Sequence, residues 1–196
     1  EYHLLKIVSN ATREMSEGEL LQIEKARKLD IEEPVYFEII RKKTASLIAS
    51  CCAAGAASVG ADAETIEKMR LFGEYVGIAF QIKDDLFDYE KNLATGKPNG
   101  SDIKEKKMTL PLIYMLNNMT WNEKRRAMNI VRRHNNEPQK VAELIATVNN
   151  SGGIKYATEK MREYQQKAIA LLNTMPESDS RCSLEQLVMF TTERKH

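Results

Sequence analysis

Residues 63–92, AETIEKMRLFGEYVGIAFQIKDDLFDYEKN, decide the fold. Ile66, Met69, Phe72, Val76, Phe80, Leu86 and Phe87 recur there at helical spacing and spread over most of the helix circumference. A helix apolar nearly all round belongs at the centre of a domain. Working outward, Pro34 sits where a first-turn proline belongs and predicts a long helix to about Gly60. The second half of that helix (Ala45, Ala49, Ala53, Ala56, Ala57) is small enough for a neighbouring helix to come close. Residues 19–29 read as amphipathic, with Leu20, Leu21, Ile23 and Leu29 turned to the core. Helical patterns resume at 110–119 after a break over 95–107, and again at 154–174 beyond Ser151-Gly152-Gly153. Thr120 with Glu123 predicts a capping box, and Ser183 with Gln186 a second for the last helix. No strand pattern and no internal repeat compete. The expected fold class is all-α.

Composition narrows the function classes. The 196 residues are 42% hydrophobic and 29% charged, with 29 Lys and Arg against 28 Asp and Glu. A net charge of +1 excludes a broadly basic nucleic-acid binder, and the apolar content excludes a disordered chain. Cys51, Cys52 and Cys182 form no disulfide framework and no C-x-x-C pair, which points to a reducing compartment. The scattered His3, His134 and His196 give no zinc pattern. Residues 45–61 are apolar but too short and small-sided for a membrane span, so they read as a core helix. The chain opens on Glu1 directly in an apolar pattern, which raises the expectation of further sequence upstream.

The chemistry concentrates in Phe80-Gln81-Ile82-Lys83-Asp84-Asp85-Leu86-Phe87-Asp88-Tyr89. At about 100° per residue, Gly77, Gln81, Asp84, Asp85 and Asp88 share one sector of the helix. Three carboxylates on an otherwise apolar helix repel one another and resist desolvation unless a cation neutralises them. Their all-oxygen chemistry suits Mg²⁺, which takes one or two carboxylates and completes its shell with water and phosphate. The same residues also read as a helix end meeting solvent. An EF-hand is excluded by the spacing and the helical context. Lys43-Thr44 enters the small-residue run, where the lysine needs an anion or a route to water. Lys97 lies in the Gly-flanked Gly96-Lys97-Pro98-Asn99-Gly100, and Asp102, Lys107 and Thr109-Leu110-Pro111 follow. Lys104, Lys106 and Lys124 are read as surface, Met108, Met115 and Met119 as core filler, Cys51 and Cys52 as buried small hydrophobes, and Trp121 as packing.

In this order the elements resemble a trans-type isoprenyl diphosphate synthase of the polyprenyl synthetase family. The matching residues are Gly18-Glu19 with Gln22, Lys43-Thr44, Gln81 with Asp84-Asp85-x-x-Asp88, Gly96-Lys97-Pro98-x-Gly100-x-Asp102, Lys107-x-Thr109-Leu110-Pro111-Leu112 and Gly152-Gly153-Ile154. The resemblance spans essentially the whole chain. It implies an isoprenoid (terpenoid) synthase-type helical bundle truncated on its N-terminal side, with residues 1–196 the C-terminal part of one polyprenyl synthetase domain. It also implies a cytoplasmic homodimer that condenses an allylic diphosphate with isopentenyl diphosphate, in a cavity that keeps water from the carbocation. By resemblance, Asp84, Asp85 and Asp88 bind Mg²⁺, Lys43, Lys97 and Lys107 bind diphosphate, and Thr44 and Gln81 turn oxygens to the allylic carbocation. The family's first aspartate-rich motif has no counterpart here, so the isolated chain is expected not to turn over. Two other classes stay open: a non-catalytic subunit of a heteromeric prenyl synthase, and a related Mg²⁺-dependent terpene cyclase, which needs no isopentenyl diphosphate. Thr109-Leu110-Pro111-Leu112 leans toward medium or long products.

Overall fold

The computed structural model describes residues 2–29, 31–90 and 100–194. The described residues contain helices and no strand: α1 (Tyr2–Lys28), α2 (Glu33–Ile40), a π-helical turn (Arg41–Ala45), α3 (Ser46–Ser58), α4 (Ala63–Phe87), α5 (Ser101–Lys104), α6 (Leu110–Asn117), α7 (Trp121–Arg133), α8 (Pro138–Asn150), α9 (Gly153–Leu172) and α10 (Asp179–Glu193). The all-α expectation holds. Local chemistry explains several starts. Thr120 and Glu123 form the expected capping box on α7, Pro111 and Pro138 sit in the first turns of α6 and α8, and Ser178 accepts from the Arg181 amide at 3.2 Å to open α10.

By contact density the chain divides into two compact units. The described residues within Glu1–Gln22, Phe37–Gln81 and Lys160–Lys195 form one, and those within Ile23–Tyr36 and Ile82–Glu159 the other. In the first, Phe72, Val76, Ala168, Leu172 and Val188 make a core shared by α4, α9 and α10. Here α4 lies hard against α3 and the π turn. A Cβ added at Gly73 would stand 2.8 Å from the Ala49 Cα, and one at Gly77 2.6 Å from the Ala45 Cα. The second unit is built on Ile82, Ile103, Leu112, Ile113, Met115, Val131, Leu144 and Val148, all essentially without solvent contact. There Gly153 brings the start of α9 onto the α6 backbone, where a Cβ would meet the Pro111 carbonyl oxygen at 2.5 Å.

Several local expectations are corrected. The helix expected over 34–60 carries a π turn, in which the Ser46 amide bonds the Arg41 carbonyl five residues back. The α4 helix closes at Phe87, short of the expected Asn92, and residues 91–92 lie outside the described residues. The expected break holds a short helix, α5, begun by Gly100 at φ 80°. Ser183 is no cap: it lies inside α10, and its hydroxyl donates to the Asp179 carbonyl. Leu29, just past α1, is buried as expected, but on α1 Leu20 is 67% and Ile23 42% exposed. Trp121 is 70% exposed, with the Arg125 guanidinium over its ring instead of core around it. Cys51 is exposed, while Cys52 is half-buried and its thiol is pushed up to about 11, first by burial and then by Cys51.

Two glycines separate space from propensity. Gly77→Ala is expected to lower unfolding stability by about 2 kcal/mol, because a backbone atom and not a flexible tip stands in the way. Gly55→Ala, with nothing within 4 Å of the new methyl, is expected to raise it by about 0.5–1 kcal/mol. Urea unfolding followed by circular dichroism measures both, and equal effects would remove the close-approach explanation.

Candidate functional site

In the first unit the candidate residues gather around the π turn. Its cations lean on carboxylates, most of them from α1: Arg41 on Glu14 at 3.1 Å, Lys42 on Glu17 at 3.3 Å and on Glu38 at 3.2 Å, and Lys43 on Glu19 at 2.6 Å. Lys43 Nζ also donates to Gln22 Oε1 at 2.7 Å. Glu19 and Gln22, three apart on one helix face, thus hold one ammonium group. Gly18 permits this, since a Cβ there would stand 2.7 Å from the Lys43 backbone nitrogen. Thr44 Oγ1 donates to Gln81 Oε1 at 2.9 Å, so the two residues matched by resemblance are in direct contact.

In the second unit the carboxylates divide by environment. Asp84 is exposed, while Asp85 and Asp88 are 7% and 6% exposed. Asp85 Oδ2 accepts from the buried Tyr36 hydroxyl at 2.7 Å. Burial first, and then the Asp85 charge, raise the Tyr36 phenol well above its ordinary value, so it stays a donor. Asp88 Oδ1 accepts from Ser101 Oγ at 2.9 Å and Oδ2 from the Asp102 amide at 3.2 Å. Burial raises the Asp88 carboxyl, and the hydrogen bonds from Ser101 and the Asp102 backbone oppose it. Asp102 is raised by burial and next by the Asp88 charge, against the pull of Lys107. Lys107 Nζ lies 3.2 Å from Asp102 and 2.7 Å from Glu105. Burial works against the charge on Lys107, but these carboxylates prevail and raise its pKa. Tyr89 and Thr109 share a buried hydroxyl–hydroxyl bond beside this network.

Among the described residues no three carboxylate, histidine or cysteine side chains group so as to hold a metal ion by themselves. The donor chemistry of Asp84, Asp85 and Asp88 nonetheless fits a hard divalent cation, which takes one or two carboxylates and leaves further positions to phosphate and water. An exposed Asp84 beside two buried carboxylates suits that arrangement. Lys97 lies outside the described residues. Sequence reading did not find Tyr36 or Ser101. Tyr36 left one signal, an aromatic hydroxyl in an apolar helix start, which must find a partner when buried.

The fold defined by these helices is that of the isoprenyl diphosphate synthases. A solved geranylgeranyl pyrophosphate synthase from Bacteroides thetaiotaomicron matches 99% of this chain at 39% identity, with a TM-score of 0.91 and 64% of its own length covered. A solved polyprenyl synthase from Caulobacter crescentus, complexed with calcium and isoprenyl diphosphate, matches the whole chain at 33% identity, TM-score 0.93, over 60% of its length. A short chain isoprenyl diphosphate synthase of Methanothermobacter thermautotrophicus is 34% identical over 98% of this chain and 59% of its own length. This chain belongs to the polyprenyl synthetase family, whose sequence model matches residues 1–148. It spans roughly six tenths of the length of these relatives.

Tyr36→Phe removes the donor to a buried carboxylate and is expected to cost about 2 kcal/mol of unfolding stability. Urea unfolding at neutral pH measures it. An unchanged midpoint would mean that the bond contributes nothing net.

Proposed function

We propose that this chain carries the diphosphate-handling part of a trans-prenyltransferase, which joins an allylic diphosphate to isopentenyl diphosphate and releases pyrophosphate. What carries the reading is the pairing of Thr44 with Gln81 directly beside Lys43, on a chain that also holds Asp84, Asp85 and Asp88. In this reading Asp84, with Asp85 and Asp88, holds Mg²⁺. The bound ion supplies positive charge where the departing diphosphate gains negative charge.

Lys43, Lys97 and Lys107 bind the diphosphate oxygens. The half-exposed pair of Lys43 with Glu19 is weak and exchangeable, so a multiply charged diphosphate can take the ammonium over. Thr44 and Gln81 point oxygen dipoles at the allylic cation, their mutual hydrogen bond holding both in place. The helices exclude water that would otherwise capture the cation. The proton lost from the adduct goes to the released pyrophosphate. The reading keeps the chain as the C-terminal part of a polyprenyl synthetase domain, because its 196 residues contain one D-D-x-x-D motif and not two. It keeps the homodimer and the cytoplasmic setting as well. Among the described residues no helix is long and apolar enough to cross a membrane.

Isothermal titration of the 196-residue chain with pyrophosphate is expected to show binding that requires Mg²⁺ and weakens at least tenfold in Asp84→Asn. Equal binding without Mg²⁺, or in the variant, would defeat the metal assignment. In a product assay the same chain is expected to form no longer prenyl diphosphate, and any such product would overturn the half-site reading.

A further inference from the structure

We propose that the solvent face of α7 is a docking surface for an anionic phospholipid bilayer. The surface includes none of the residues assigned to prenyl transfer and does not depend on that assignment. The helix reads WNEKRRAMNIVRR over Trp121–Arg133. Its inner side is marked by buried Ala127 and Val131. At about 100° per residue, the opposite arc of roughly 140° carries, in order, Trp121, Arg132, Arg125, Asn129, Asn122, Arg133 and Arg126. All four arginines are exposed. The arc holds no carboxylate. Glu123, the one acid in the helix, lies outside it and is engaged with Thr120 in the capping box.

On α9 most surface cations are paired: Lys155 meets Glu159, and Lys160 and Lys167 share Glu163. On α7, among the described residues, none of Arg125, Arg126, Arg132 and Arg133 enters an ion pair. Apart from the Glu123 charge felt by Arg126, the four guanidinium groups share one face without an ion-pair partner and repel one another, and an anionic surface relieves that repulsion.

At the edge of the arc stands the ring of Trp121, 70% exposed, with Arg125 5.4 Å from its centroid. An indole at the rim of a cationic helix face sits naturally at the headgroup level of a bilayer. A helix of 13 residues is about 20 Å long and presents its whole arc to a plane at once. Duplex nucleic acid is the poorer match, because the chain as a whole carries only +1 and projects no broad positive field.

The protein has one tryptophan, so α7 contains its own probe. The test is co-sedimentation of the 196-residue chain with vesicles of phosphatidylcholine alone or mixed with phosphatidylglycerol, alongside Trp121 fluorescence. Binding to the anionic vesicles only is expected, with a blue shift of Trp121 and loss at ~1 M NaCl, where the screening length falls to about 3 Å. Each arginine-to-glutamine change is expected to weaken partitioning about fivefold, and R125Q/R126Q/R132Q/R133Q to abolish it at unchanged helix content. The single variant R126Q reports the same effect if the quadruple variant unfolds. The proposal is overturned by no binding to anionic vesicles at low salt, by binding unchanged in the arginine variants, or by tighter binding to a duplex oligonucleotide than to the vesicles.

Discussion

The distance between α3 and α4 is set by two absent side chains. Gly73 and Gly77 let the α4 backbone come within contact of Ala49 and Ala45, and no larger residue fits either position without moving backbone. This closeness is what allows a side chain as short as threonine to reach Gln81 across the helix pair. Ala45 of the π turn, Ala49 of α3 and the two glycines of α4 are halves of one steric arrangement. Its product is a polar contact that joins the two helices.

The second unit shows the opposite strategy, in which polar groups are brought inside and then given partners. Asp85 takes the Tyr36 hydroxyl, and Asp88 takes Ser101 and the Asp102 amide. Burial still dominates at Asp88 and Asp102, whose carboxyls both titrate higher than free ones, so these hydrogen bonds offset the desolvation only in part. Carboxylates left under-compensated in this way are cheap to neutralise with a cation, which a fully bonded set would not be.

Much of this was readable from residue patterns. The apolar spacing of residues 63–87 marked a long helix, the small residues from Ala45 onward announced a close neighbour, and Thr120 with Glu123 marked a helix start. Motif resemblance singled out Thr44 and Gln81 separately, but not the hydrogen bond that joins them in the fold. What escaped was of two kinds. Partners far apart in sequence, such as Tyr36 with Asp85, 49 residues on, leave no local signal. Periodicity also does not say which side of an amphipathic helix faces inward when apolar residues sit on both. Leu20 and Ile23 on α1 look as core-like as Leu29, yet only Leu29 is buried. Trp121, read as packing, instead stands 70% exposed at the start of α7.

The π turn at Arg41–Ala45 has a bearing on what changes the chain tolerates. Such a turn is an α-helix with one residue too many, held open here while Arg41, Lys42 and Lys43 reach acids on α1. Removing any one residue would return the segment to ordinary helix and rotate everything before it by about 100° relative to everything after. All three cations cannot then keep their partners while Thr44 keeps Gln81. The segment is thus constrained in its length more tightly than in its identities, and the loss of a single codon there would be felt more than most replacements.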